Sequence, residues 1–274
     1  MDFKTILVDL AADPARDARL DAALTLASLF TARVVGLTAT GTLLDPFRSA
    51  GEETARYQQM RADMLRNLKQ ADAAALDAAV ARRGRGIEIS HVVVEQEAGW
   101  ALTSRGVSSD LILPAPPSLA QDTPALMATS AEYVLLNSGR PILVIPPGAS
   151  LVPGGTVVVA WDGRREAARA MRDALPLLAL ASRVILQVVL SGAGPNEHGA
   201  AEAVRWLADH GVSASLRIDE AASPADSLMR VTRNEAADLL VTGGYGHSRL
   251  GELVMGGTTR TLLRSAPVPL LMSH

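Results

Sequence analysis

The chain has 274 residues, of which 48% are hydrophobic but only 3% aromatic, so its core must be built from closely packed Ala, Val and Leu. A net charge of −3 with no run of like charge excludes the basic stripe of a nucleic-acid binder. The lack of cysteine excludes a disulfide scaffold, a thiolate metal site and a cysteine nucleophile.

The opening Met1-Asp2-Phe3-Lys4 runs straight into an apolar stretch and does not read as a leader. No uncharged apolar run reaches the roughly eighteen residues needed to cross a bilayer. The expectation is a cytoplasmic protein with neither a membrane nor a nucleic-acid partner.

In chain order, Thr5-Ile6-Leu7-Val8 reads as a strand. Asp13-Pro14 follows as a helix start, with Asp at the N-cap and Pro at N1. Leu20, Leu24 and Ala27 mark one helical face, and Arg33 to Thr38 reads as a second strand. A long helix-like stretch then spans Gly51 to Arg83, with Leu65, Leu68, Leu76 and Val80 as apolar contacts. Asp110 to Leu113 and Pro141 to Ile145 close the first half as strands. Pro146-Pro147-Gly148 and Pro153-Gly154-Gly155 supply the linker.

The same grammar recurs. Adding 150 carries the first strand, helix and second strand, to within a residue, onto Thr156–Val159, Arg164–Ala181 and Arg183–Val189, with Arg33 falling on Arg183. Adding 128 carries Asp110-Leu111-Ile112-Leu113 onto Asp238-Leu239-Leu240-Val241, and Pro141-Ile142-Leu143-Val144 onto Pro269-Leu270-Leu271-Met272. The difference of 22 residues is the insertion within Gly51 to Arg83. Two domains are therefore expected, at 1–150 and 151–274, each alternating β and α. In the second, strands are expected near 156–161, 183–190, 212–218, 238–243 and 268–272. Its helices are expected near 164–181, 197–210, 224–235 and 258–265. Such a pattern gives a mostly parallel sheet covered on both faces, with ligands at the carboxyl ends of strands where the winding reverses.

Two loops of the second half lie at such ends. One is Trp161-Asp162-Gly163. The other runs from Gly243 to Thr258 and contains Gly243, Gly246 and Gly256 spaced as Gly-x2-Gly-x9-Gly, then Gly257 and Thr258. Glycines allow close backbone approach to a phosphate, and the helix beginning near Gly257–Thr258 aims free N–H groups at an anion.

This spacing, with Val159-Ala160-Trp161-Asp162-Gly163, resembles the universal stress protein family. The resemblance covers essentially the whole chain as two copies, whereas the glycine signature is present once. It implies an α/β fold of two tandem, Rossmann-like (adenine nucleotide alpha hydrolase-like) domains, each a five-stranded parallel sheet with helices on both faces. It further implies ATP or AMP as ligand, with or without Mg²⁺. Asp162 and the backbone of Val189 would meet the adenine, and Gly243, Gly246, Gly256, Gly257 and Thr258 would surround ribose and phosphates. The family usually has Ser or Thr where Gly257 stands, so the hydroxyl contact is displaced to Thr258. The family's domains meet through their last strands, which implies an intramolecular pseudo-dimer here, with further homodimerisation open.

At the same positions the first half has Ala115, Ser118 and Ala128 for the glycines, and Ala12, or Asp13 after a one-residue slip, for Asp162. Pro116 and Pro117 remove two N–H donors. That site reads as lost. Local alternatives stay open: Asp162 as a turn or cap residue, Trp161 as strand-end core, Gly251 as a turn glycine, and His247, Arg249 and Arg260 as solvated side chains. The histidines show no zinc spacing, and no P-loop, Gly-x-Ser-x-Gly elbow or His-Glu-x-x-His helix exists. Three functions follow: a regulatory nucleotide-binding stress protein, a slow ATPase or self-phosphorylating protein, or a nucleotide-free interaction module.

Overall fold

The computed structural model describes residues 2–41, 51–83, 86–117, 129–190, 199–246 and 257–274. Ser118, Ala128, His198, His247, Arg249, Gly251 and Gly256 lie outside these. Five strands come from the first half: β1 (Thr5–Asp9), β2 (Arg33–Ala39), β3 (Ile89–Val94), β4 (Leu111–Leu113) and β5 (Ile142–Val144). Five more come from the second: β6 (Thr156–Trp161), β7 (Arg183–Leu190), β8 (Ala214–Glu220), β9 (Leu239–Gly243) and β10 (Leu270–Ser273). They form one sheet in the order β3-β2-β1-β4-β5-β10-β9-β6-β7-β8. All neighbours are parallel except β5 and β10, which pair antiparallel with Leu143 opposite Leu271. The fold is thus the doubly wound α/β arrangement expected, with two parallel blocks joined edge to edge.

The inner strands are buried on both sides because helices cover both faces, whereas the edge strands β3 and β8 are partly exposed. α1 (Arg16–Phe30), α2 (Gly51–Arg83), α5 (Arg165–Asp173) and α7 (Ala200–Asp209) lie on the face of Ile6, Val8, Val157 and Val159. Their buried contacts include Leu20, Leu24, Leu76, Met171 and Leu207. The opposite face, with Leu7 and Val158, carries α3 (Ala98–Gly106), α4 (Ser130–Asn137), α8 (Pro224–Asn234) and α9 (Thr258–Ser265) through Leu102, Val134, Leu228 and Leu262. Alternate residues of one strand thus serve opposite cores, which is why the strands read as continuous apolar runs.

Three expectations need adjustment. The helix expected over 164–181 divides into α5 and a short α6 (Leu175–Leu178). Pro176 has no N–H to continue the ladder, so the chain tightens at Ala174. The regular part of α1 begins at Arg16; Asp13 instead closes the turn before it, its Oδ1 accepting from the Ala15 amide at 2.7 Å. The inserted stretch is the 33-residue α2, in which Leu76 and Ala79 reach the core while Leu65 and Leu68 stay half-buried.

Candidate functional site

In the second half the winding reverses between β6 and β9, which are parallel neighbours flanked by β7 and β10. The residues after each strand therefore emerge on one edge of the sheet. Asp162 follows β6 and is half exposed, with its Oδ1 accepting the Arg164 amide at 3.0 Å. This is the turn-forming role left open for it, and Oδ2 faces the other loop. Gly163 takes φ 73°, a left-handed conformation suited to glycine at this sharp turn. Arg164 spans the two loops, donating from Nη1 to the Gly246 carbonyl at 3.1 Å.

Two glycines of the second loop do different work. A Cβ on Gly243 would lie 2.6 Å from Ala167 N and 2.6 Å from Glu166 C, so the missing side chain lets α5 pack directly on β9. Among the described residues, the atoms nearest a Cβ on Gly246 belong to side chains: Glu166 Oε2 at 3.3 Å, Arg164 Cδ at 3.5 Å and Asp162 Oδ2 at 3.8 Å. Gly243 thus serves packing, whereas Gly246 lines a small polar cup walled by Asp162, Arg164 and Glu166. Val189 lies at the carboxyl end of β7, one residue beyond the Val188 that pairs with Trp161 beside the cup. α9 opens at Thr258 behind Gly257, an N-cap with no side-chain cap bond. The first-turn N–H groups point out of the helix end, as anion binding requires.

Glu166 was missed in the sequence, where a glutamate in a first helical turn reads as a dipole partner. Its side chain is buried. Burial would raise its pKa, but the bond from Arg165, its own backbone amide and nearby His274 hold it below the ordinary value. The carboxylate is ionised at neutral pH.

The loop between Gly243 and Gly246 is also tied to the first half. Tyr245 has φ 56°, unusual for a residue with a side chain. Its amide donates to Thr259 Oγ1 at 2.9 Å and its hydroxyl to Glu132 Oε1 at 2.7 Å. Glu132, on α4, is 1% exposed and also accepts from Arg260 Nε at 2.7 Å and, through Oε2, from the Thr129 amide at 2.7 Å. Burial opposes its charge, yet Arg260, the Thr129 amide and the Tyr245 hydroxyl hold its pKa below 4.5. Arg260 is accordingly an ion-pair residue and not a solvated one. The signal was present in the sequence: Glu132 and Arg260 stand 128 residues apart, the offset of the repeat.

The corresponding place in the first half carries buried polar groups of its own. Thr5 pairs with Arg33 as Thr156 pairs with Arg183, so β1 and β6 align with an offset of 151. Ala11, neither Ala12 nor Asp13, therefore stands opposite Asp162, and Asp9 stands opposite Ala160. Asp9 is 1% exposed; its Oδ1 accepts the Ala11 amide at 3.0 Å and Oδ2 the Ala115 amide at 3.2 Å, where Ala115 replaces Gly243. Arg19, fully buried, bonds the carbonyls of Asp9 and Ala11 at 2.8 Å each and pairs with Asp13 at 2.8 Å. On the β2 side, the Thr38 hydroxyl donates to Asp72 of α2 at 2.8 Å, and His91 Nε2 lies 2.8 Å from the same oxygen. Burial raises the pKa of both Asp9 and Asp72, with Arg19, Arg16 and hydrogen bonds opposing. The first half thus holds a buried carboxyl group at the end of β1.

Among the described residues no group of acidic, histidine or cysteine side chains could hold a metal ion, and no helix is long and apolar enough to cross a membrane. The family model for the universal stress protein family matches residues 193–274. Universal stress protein Slr1230 of Synechocystis is 26% identical over 151 residues, which are 53% of this chain. The match spans 50% of that relative's length. A universal stress protein from Archaeoglobus fulgidus superposes with a TM-score of 0.73 at 14% identity, covering 98% of this chain and 95% of that one. A functionally unknown protein from Pseudomonas aeruginosa superposes at 0.57 with 18% identity, covering 99% and 92%. The second half thus matches the universal stress protein family model, and the whole length shares the fold of a universal stress protein.

Proposed function

We propose that the second half binds one adenine nucleotide, ATP or AMP, and that the protein acts as a regulatory stress protein through that binding. The observation that carries the reading is the polar cup of Asp162, Arg164 and Glu166 around Gly246, next to Tyr245, whose amide binds the Thr259 hydroxyl in the first turn of α9. Asp162 and the Val189 backbone would take the adenine end. Gly243, Gly246, Gly256, Gly257 and Thr258 would take ribose and phosphates, with Arg164 at the mouth. Asp162 and Glu166 place negative charge on one wall, which a phosphate-bound Mg²⁺ would offset. In this reading residues 1–150 and 151–274 are two domains, and the β5–β10 junction makes within one chain the contact that pairs separate domains in the family.

The test is a thermal-shift titration with ATP, ADP, AMP and GTP, with and without Mg²⁺, on the natural chain and on Gly246→Val. A ligand at about 100 Kd adds about 2.7 kcal/mol, a visible shift. Adenine-selective stabilisation that vanishes in Gly246→Val is expected. Gly246 is the position to change because its neighbours are side-chain ends that can move, whereas a side chain at Gly243 strikes the backbone of α5. No shift at millimolar nucleotide overturns the reading and leaves the interaction module.

A further inference from the structure

We propose that Glu132 is a positioning residue for the glycine loop of the other half, so that the first half sets the loop of the second. This deepens the nucleotide reading above and rests on it for its ligand.

Three observations carry it. First, one carboxylate oxygen, Glu132 Oε1, receives the hydroxyl of Tyr245 and the guanidinium of Arg260, both at 2.7 Å. Tyr245 lies between Gly243 and Gly246, and Arg260 lies in the first turn of α9. The two backbone segments proposed to hold phosphate are thus fixed to one atom of α4. Second, Tyr245 is held left-handed, a conformation its side chain disfavours, so the loop keeps this shape only while something holds it. The Thr259 hydroxyl holds its amide and Glu132 holds its other end. Third, Glu132 is itself immobilised, by burial and by its capping-box bonds with Thr129.

Symmetry gives the arrangement a direction. β5 and β10 pair about Leu143 and Leu271, and Glu132 pairs with Arg260; both pairs are 128 apart. The junction therefore has a local twofold at which the two halves contribute opposite charges. Pairing two first halves would set Glu132 against Glu132, and two second halves Arg260 against Arg260. Only unlike halves complete the junction, and only the second half presents a glycine loop to the carboxylate. In the first half Pro117 stands where Tyr245 stands in the second.

The experiment uses the full chain with Tyr245→Phe, Glu132→Gln and Glu132→Leu. Tyr245→Phe deletes one hydroxyl and leaves the Glu132–Arg260 pair and the capping box in place, so it separates positioning from folding. Amide exchange over residues 243–246 is measured without ligand, and ATP affinity by calorimetry. Exchange at Tyr245 is expected to rise at least about tenfold in Tyr245→Phe while the core strands keep their protection. ATP affinity is expected to fall roughly 5- to 50-fold. Glu132→Gln, which keeps an acceptor oxygen, should lie between the natural chain and Glu132→Leu. Unchanged loop exchange in Tyr245→Phe and Glu132→Leu overturns the proposal. If the natural chain binds ATP and the variants bind it equally, the proposal fails while the nucleotide reading stands. If the natural chain binds no ATP but the loop loosens as stated, positioning stands and the nucleotide reading fails.

Discussion

The ends of β1 and β6 are the same place in two copies of one fold, and they have been filled differently. At β1, Asp9 turns a buried carboxylate onto the amide of Ala115, and Arg19 pins the following loop from below. At β6, Ala160 offers no acceptor, and a glycine stands at 243 where the first half has Ala115. The contrast shows one strand end filled in two ways: in the first half the polar partners lie inside the chain. The first half also reaches the loop of the second, through the contacts of Glu132 with Tyr245 and Arg260.

The largest effect that would break this comparison is expected at Gly243. Gly243→Ala drives a Cβ onto the backbone of α5 at 2.6 Å, and should cost about 3 kcal/mol in urea denaturation. Ala115 already carries that Cβ at the equivalent place, so Ala115→Gly should change stability by roughly 1 kcal/mol or less. Equal costs at the two positions would mean the halves are packed alike.

Next comes Asp9→Ala, which leaves the amides of Ala11 and Ala115 without their acceptor. A loss of about 2 kcal/mol is expected by chemical denaturation. No loss would mean that the internal anion is dispensable.

Buried carboxyl groups within the first half should also respond to pH in opposite senses. Glu132 has a folded pKa below its ordinary 4.5, so its contribution is complete above that value and fades as the pH falls through the lowered one. Asp9 and Asp72 have folded pKa values above 3.8, so their ionisation costs stability, progressively as the pH rises from 3.8 through the raised values. Melting temperatures followed from pH 3 to 7 should therefore lose acid sensitivity in Glu132→Gln. In Asp72→Asn, the decline from that cause should disappear.

The smallest effect is expected at a surface pair. Arg183 binds Glu235 at 2.8 Å from an exposed position, whereas its counterpart Arg33 bonds the Thr5 hydroxyl at 3.0 Å. Arg183→Ala should cost less than about 1 kcal/mol, and the cost should shrink in high salt. A larger, salt-independent loss would mark the pair as structural.

Much of the fold was legible because the repeat has two clean offsets and the strands are apolar on both faces. The helices at 224–234 and 258–265 begin at Ser223-Pro224 and behind Gly257, where local chemistry and burial agree. The break at Ala174 was also written in the chain, as Pro176, but was overridden by the apolar period around it. The polar interior was not legible. Arg19, Asp72 and His91 sit among residues whose spacing suits a solvated face, and only the packing of α2 against α1 and β2 brings Thr38, Asp72 and Arg16 together. Glu166 and Glu132 look like ordinary first-turn acids. Their roles depend on Arg165, Tyr245 and Arg260, and so on contacts that exist only after folding.

The most direct test of the central claim is the stoichiometry of ATP binding to the full chain by titration calorimetry. One nucleotide per chain, lost in Gly246→Val and kept in Asp9→Ala, is the predicted result. Two per chain would contradict a single site, and none would contradict the site in the second half.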